Sequence, residues 1–506
     1  MMDSRSKRAQ KNIITSLFSQ LVVMICGIIV PRLLIGAFGS EAYGATTSIA
    51  QFLAYITLLE GGIGGVARAA LYKPLAQNDL MRISAIMGEV KRFFRVIGWI
   101  FAVYVVILAV SFQSLSDISC MDWTSTAILV VVISISIFGQ YFIGISHSVL
   151  LQAAQKTYIT NVVSIGTTVI NAVCTVGMIY LRCDLITVKL VSSLIFFLRP
   201  VILWLYVRRL YALHKYASVD KVPYLTQKWS GLGQHIAFFL HSNTDIAVLT
   251  ILADLRTVAV YSVYNMVITH IQNLTMSFSS GMESVFGDML ARDEKKELHE
   301  SFGMYESILS LISVLLFSVC VVLIIPFIRL YTAGITDTNY EQPLFALLMV
   351  LTAVSYCLRL PYHSMTIAAG HFKQTRLAAY GEAMINIGLS LILVSQFGLV
   401  GVAVATLLAT WFRFIYYVIY LKKHIFYRSV MHFVRRTVVN VSVFVCNCAI
   451  GMAIVSYMDI SNYLLWVMSG VLLSCMMGVF TVTVNLIFFR QECCRAIGKI
   501  IKRSFL

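Results

Sequence analysis

Apolar runs of about 20 residues, separated by short polar breaks, recur along the whole chain. That is the length a helix needs to cross ~30 Å of hydrocarbon at ~1.5 Å per residue. The pattern predicts fourteen such helices, at about 12–35, 44–67, 96–112, 126–151, 158–181, 185–207, 232–252, 258–285, 303–325, 344–367, 377–397, 399–421, 434–458 and 463–489. Strands of a membrane barrel would instead alternate apolar and polar residues within much shorter segments. The expected class is an all-α membrane protein.

Composition agrees with this. At 59% hydrophobic and 12% charged over 506 residues, the chain has too few charges to cover a soluble domain of its size. The basic residues then predict topology. With the N-terminus inside, 31 of the 39 Lys and Arg fall on inside segments, and Arg32, Arg182, Lys189, Arg256 and Arg329 fall outside. The remaining three, Arg199, Arg359 and Arg413, lie within apolar runs. Such asymmetry predicts a multi-pass protein with both termini cytoplasmic. The net charge of +16 therefore marks helix ends, and no nucleic-acid partner is expected. The first apolar run is too long for a cleaved signal and is read as an uncleaved helix. Of the 11 cysteines, only Cys120 and Cys183 are placed for an oxidising face, and no disulfide framework is implied. Cys446, Cys448, Cys493 and Cys494 lack partner ligands at metal spacing and read as free thiols, so no metal or other cofactor is expected.

Self-comparison exposes a repeat. The stretch Ser40-Glu-Ala-Tyr43-Gly44 recurs as Val258-Ala-Val-Tyr261-Ser262. Ala153-Ala-Gln-Lys156-Thr likewise recurs as Ala369-Gly-His-Phe-Lys373-Gln-Thr, and Phe197-Leu-Arg199-Pro as Trp411-Phe-Arg413-Phe. Residues 1–210 and 231–422 read as two six-helix lobes in parallel orientation, since six crossings preserve direction. Residues 211–230, basic and containing Pro223, read as a cytoplasmic linker on anionic headgroups. Residues 423–506 add helices 13 and 14 and a basic tail.

A charge at the bilayer centre costs ~2.5–3.5 kcal/mol on insertion scales, so each one needs a partner, a wet cavity or a short reach to the interface. Arg199 and Arg413 occupy matching places in the sixth helix of each lobe. Two readings stand side by side: snorkelling to the interface, or facing a cavity as anion binders. Arg359 and His363, four apart, share a face with Tyr356 that suits a phosphate or sugar. Gln51 and Tyr55 lie with Ser48 on one stripe of helix 2, near Glu60; His270 and Asn273 lie on another in helix 8. In a bundle such stripes line a pore or glue helices together. His241 and Asp245 are spaced to pair, either neutralising a buried carboxylate or forming a titrating switch. Glu382 with Asn386 reads as a satisfied structural pair. There is no phosphate-binding Gly loop, no His-Glu-x-x-His and no long outer loop with paired carboxylates, so no enzyme is expected.

The Lys11-Asn12 start of a long first helix, the Phe38-Gly39-Ser40-Glu41-Ala42-Tyr43-Gly44 turn, Asp245, the Tyr261 turn and fourteen helices together resemble the polysaccharide transporters. These are O-antigen-type oligosaccharide flippases of the multidrug/oligosaccharidyl-lipid/polysaccharide (MOP) exporter superfamily. The resemblance implies two lobes rocking by alternating access. The implied cargo is an undecaprenyl-pyrophosphate-linked oligosaccharide, flipped from the cytoplasmic to the outer leaflet of a bacterial inner membrane for surface polysaccharide such as O-antigen, lipopolysaccharide or capsule. It also implies coupling to H+ or Na+, with membrane lipids and polysaccharide polymerase machinery as partners. On this chain the anionic head falls to Arg199, Arg359 and Arg413, and the coupling ion to Glu60 or Asp245. Two alternatives are a multidrug cation exporter of the same superfamily, disfavoured by three intramembrane arginines, and a non-transporting scaffold, which would tolerate neutral replacement of the charges.

Overall fold

The computed structural model describes residues 2–60, 63–116, 118–211, 232–277, 279, 282–425, 428–492 and 495. The regular elements among them are helices. Those before residue 212 are α1 (Met2–Ala54), α2 (Ile63–Gln77), α3 (Leu80–Leu115), α4 (Trp123–Gly139), α5 (Ile145–Ala153), α6 (Thr157–Tyr180) and α7 (Leu185–Tyr211). There follow α8 (Leu232–Leu252), α9 (Leu255–Ser277), α10 (Met282–Ala291), α11 (Lys295–Tyr331), α12 (Pro343–Ala368), α13 (Phe372–His424), α14 (Val430–Ser456) and α15 (Tyr463–Phe488). A 3₁₀ turn, Tyr55–Glu60, extends α1, and a π-helical turn, Gln140–Gly144, joins α4 to α5.

Ten helical stretches among the described residues are long and apolar enough to cross a membrane, against the fourteen expected. The difference has physical causes. Gln10–Glu60 and Gln374–His424 run 51 residues each, roughly 77 Å at ~1.5 Å per residue, the length of two crossings. They are continuous except at Gly39 (φ 85°, ψ 166°) and Gly398 (φ 52°, ψ −125°), where the backbone leaves helical values. Both glycines sit at positive φ, which a side chain would resist. In α8 the continuously described stretch Asn243–Leu252 is apolar and ten residues long. α9 carries Asn265, His270, Gln272 and Asn273 along its length and does not count among the ten.

The chain divides into two compact units, Met1–Ala259 and Val260–Leu506. In the first, α1 packs on α6, α4 on α7, and α3 on α4. α3 shows how its sequence suits lipid: Phe94, Phe101, Val105, Leu108 and Phe112 are buried, while Val96, Trp99, Val103, Val106 and Val110 form an exposed stripe at helical spacing. A face that apolar is stable only against hydrocarbon. Two close crossings explain glycines. A Cβ on Gly44 would stand 1.8 Å from the Leu255 carbonyl oxygen, and one on Gly139 would stand 2.5 Å from the Phe197 ring.

In the second unit α12 packs on α13 and α11, and α14 and α15 lie against α11. One core cluster gathers Phe286, Phe302, Leu309, Tyr362, Met365 and Phe414. A smaller one joins Val322 and Leu323 of α11 to Leu473 and Met477 of α15. Near the start of α11, Glu306 accepts from Arg428 and from Tyr362, and Glu492 accepts from Arg436. These ion pairs tie α11 to the segments around α14 and α15.

Candidate functional site

The second unit holds the most charged buried cluster that sequence reading had singled out. Arg359 on α12 donates Nη1 to Oε1 of Glu382, and Arg413, farther along α13, donates Nη1 to the other carboxylate oxygen. Glu382 is fully buried, and the two arginines are 5% and 6% exposed. One carboxylate thus bridges two guanidiniums, leaving one net positive charge in an apolar surround.

Tyr417, one turn beyond Arg413, completes the arrangement. Its hydroxyl accepts from Arg413 Nε at 3.1 Å and Nη2 at 2.8 Å, and lies 3.2 Å from His363 Nδ1. With both lone pairs taken, the hydroxyl proton goes to His363, whose Nδ1 must then be an unprotonated acceptor. The Arg359 guanidinium lies over the Tyr356 ring at 4.8 Å and that of Arg413 over Tyr417 at 5.3 Å. Arg359's other guanidinium nitrogens have no protein partner among the described residues. Guanidinium forks are suited to phosphate oxygens. The cluster can therefore offer donors to an anion while Glu382 holds the fork in place.

In the first unit the polar stripe of helix 2 meets α8. Gln51 Nε2 donates to Asn243 Oδ1 at 2.8 Å, Tyr55 donates to the Asn243 carbonyl at 3.3 Å, and Ser48 and Thr250 hydroxyls lie 2.7 Å apart. Asp245, two residues beyond Asn243, is buried. Glu60 accepts from the Tyr141 hydroxyl at 2.6 Å, a contact delivered by the π turn Gln140–Gly144. π turns recur at functional positions, because the extra residue re-aims side chains.

Arg199 donates Nε to Thr167 Oγ1 at 2.5 Å and Nη2 to Thr168 Oγ1 at 2.7 Å, and lies over the Phe196 ring at 4.5 Å. It has no ion pair among the described residues. His270 is half-buried and Asn273 exposed, its carbonyl accepting from Ser277. The side chain of His241 lies outside the described residues, so the expected His241–Asp245 pair is not described.

No protein-family profile matches the chain, and no curated protein sequence does. Solved structures do. The chain is similar to lipid II flippase MurJ in an inward closed conformation, at 15% identity over 95% of this chain and 99% of that one, with TM-score 0.65. It is similar to an inward-facing multidrug resistance MATE family transporter of the MOP superfamily, at 14% identity over 81% and 98%, TM-score 0.55. A point mutant of the Vibrio cholerae MATE transporter VcmN matches at 15% identity over 84% and 99%, TM-score 0.54. This chain has the MOP exporter fold.

The solved structures named are of transporters and a flippase. Sequence reading of this MOP-fold chain paired Glu382 with Asn386. In the structure Glu382 instead bridges the two arginines, and Asn386 donates to Thr406 at 3.0 Å. Four apart on a helix is a spacing that permits a pair, but a carboxylate gains more from a guanidinium than from an amide. Tyr417 was findable by the same spacing from Arg413. Asn243 and Tyr141 carried no such signal, because their partners are far away in sequence. The Glu306–Arg428–Arg436–Glu492 group was also missed, because its members lie far apart in sequence.

Proposed function

We propose that this protein is a flippase for a lipid-linked, pyrophosphate-bearing oligosaccharide. It moves the cargo from the cytoplasmic to the outer leaflet of a bacterial inner membrane by alternating access, coupled to H+ or Na+, for surface polysaccharide assembly. The observation that carries this reading is the Arg359–Glu382–Arg413 cluster: a buried, net-positive pair of guanidinium forks in a chain whose fold is that of a lipid flippase and of multidrug exporters. A cation exporter gains nothing from arginines at such a site, whereas a pyrophosphate crossing hydrocarbon needs them. Glu60 or Asp245 would carry the coupling ion, and both termini would be cytoplasmic. Gln51, Tyr55, His270 and Asn273 would serve the glycan, and Arg199 would assist with the anionic head.

The two-lobe repeat and the count of fourteen crossings belong to the same proposal, and the backbone supports them. Left-handed residues recur about 215 positions apart: Asn78 with Asp293, Gln155 with Gly370, and Arg182 with Gly398. Element starts recur likewise, α3 at Leu80 with α11 at Lys295, and α6 at Thr157 with α13 at Phe372. Counting each 51-residue element as two crossings and adding α8 and α9 recovers fourteen.

A strain whose surface polysaccharide depends on this gene tests the reading. Arg413→Ala should abolish display while the protein still reaches the membrane at normal level. Full display with Arg359→Ala and Arg413→Ala combined, at normal protein level, would refute it.

A further inference from the structure

A second basic site lies in the first unit, apart from every residue given a role above. A cavity of about 290 Å³ opens among α3, α5 and α7, lined by Ser84, Gly88, Lys91, His147, Trp204 and Arg208. That is at the small end of ligand pockets, which run roughly 300–1,000 Å³. Among the described residues, no acidic one lines it. Neither Lys91 nor Arg208 has a carboxylate partner among the described residues, and Arg208 lies over the Trp204 ring at 5.4 Å. His147 Nδ1 hydrogen-bonds the Ile143 carbonyl, so it carries the ring proton and leaves Nε2 without a protein partner among the described residues.

Its depth follows from helix lengths. α3 has 36 residues, and its lipid-facing stripe begins at Val96. Lys91 is five residues before that stripe, about 8 Å along the axis. Arg208 is in the last turn of α7. Both cations thus stand just beyond the hydrocarbon, at the level of lipid headgroups.

The related groove of the second unit shows what such a place accepts. At a spacing of 215, Gly88 corresponds to Gly303, Lys91 to Glu306 and His147 to Tyr362. A Cβ on Gly303 would meet the Glu492 carboxylate at 3.1 Å, whereas one on Gly88 would meet no described residue within 4 Å. In the second unit the chain's own carboxylate fills the space beside the glycine. In the first the space is open and its charge is basic. A mid-helix glycine is unfavourable by roughly 1 kcal/mol relative to alanine, and here its missing side chain keeps the cavity clear.

We propose that this cavity binds the phosphate of an anionic glycerophospholipid headgroup, with Lys91 and Arg208 as its cations and His147 Nε2 accepting from a headgroup hydroxyl. Basic pockets between membrane helices favour such headgroups over zwitterionic ones. The comparison with the second unit rests on the repeat reading; the open cavity, its charge and its depth do not.

Native mass spectrometry of the full chain, released from detergent after exposure to phosphatidylglycerol or phosphatidylcholine, reads this out. The wild-type protein should retain one phosphatidylglycerol in preference to phosphatidylcholine. Gly88→Leu, which plugs the cavity, and the double variant Lys91→Gln/Arg208→Gln should both lose that retention. The double variant should bind about 25-fold more weakly, from roughly a fivefold loss for each basic group near a membrane surface. Equal retention by wild type and a correctly folded double variant would overturn the proposal, as would equal retention of the two lipids. Calorimetry with inorganic phosphate separates the sources. Phosphate bound as tightly as the lipid would mean a soluble anion site and would also overturn it.

Discussion

Replacing Glu382 by Gln should damage the second unit more than replacing either arginine it holds. In the native cluster two guanidiniums and one carboxylate leave a single positive charge, all three groups being at most 6% exposed. Arg413→Gln removes one cation and leaves Arg359 and Glu382 as a balanced pair. Its losses are the hydrogen bonds to Tyr417 and to one carboxylate oxygen, about 1–3 kcal/mol. Glu382→Gln leaves two uncompensated guanidiniums facing each other in an apolar surround, and unpairing a buried ion costs about 3–5 kcal/mol. The expected order of stability is wild type, then Arg413→Gln or Arg359→Gln, then Glu382→Gln. The purified protein in detergent, heated in steps and scored by the monodisperse peak on gel filtration, reports it. Combining Glu382→Gln with Arg413→Gln should be less damaging than the sum of the two, with a coupling of about 0.5–3 kcal/mol. Additive effects, or a Glu382→Gln protein as stable as Arg413→Gln, would refute the bridging role.

Three further outcomes follow from the first unit. Gly44→Ala places a methyl group 1.8 Å from the Leu255 carbonyl oxygen, so backbone must shift, and overpacking of about 1–3 kcal/mol should lower the melting midpoint. Gly88→Ala, where a methyl meets no described residue, should leave the midpoint unchanged or raise it, and the same heating assay compares the two. Glu41, on α1, accepts from the backbone N–H groups of Ser119 and Cys120, in the loop after α3, at 2.6 and 2.9 Å. Cys120 is an exposed residue, yet desolvation by the surrounding chain and the neighbouring Glu41 carboxylate push its thiol up to about 11. Alkylation of a variant keeping Cys120 as its sole cysteine should therefore rise about tenfold per pH unit between about pH 7 and 9, with no plateau. Glu41→Gln should speed the reaction at about pH 8. A plateau near the ordinary thiol value of about 8.5 in the unmodified background would contradict the assignment.

Much of this fold was written in the chain, and what was not has identifiable causes. Apolar run lengths located the helices. They could not show that helices 1 and 2, or 11 and 12, are continuous elements broken only at Gly39 and Gly398, because a polar break looks the same whether the helix stops or merely kinks. The three intramembrane arginines were legible as charges that needed partners. Which partners they found depended on contacts between α12 and two turns of α13 far apart along the helix, and helical spacing reports only neighbours on one helix. Hence Arg359, His363 and Arg413 were named while Glu382, the group that joins two of them, was assigned to Asn386. Gln51 and Tyr55 were legible as a stripe, but Asn243 was not, since its role comes from α8 lying across α1. The cavity at Gly88 had no sequence signature at all, because it is defined by the absence of a side chain.

Translocation itself is the most direct test. Purified protein in proteoliposomes, given a fluorescent undecaprenyl-pyrophosphate-linked oligosaccharide in the inner leaflet and a membrane-impermeant glycan-modifying enzyme outside, reports crossing as substrate becoming accessible. The wild-type protein should accelerate that exposure, further with an imposed H+ or Na+ gradient, and the folded double variant Arg359→Gln/Arg413→Gln should lose it. Exposure at the protein-free rate with wild type, or unimpaired crossing in the double variant, would contradict the account.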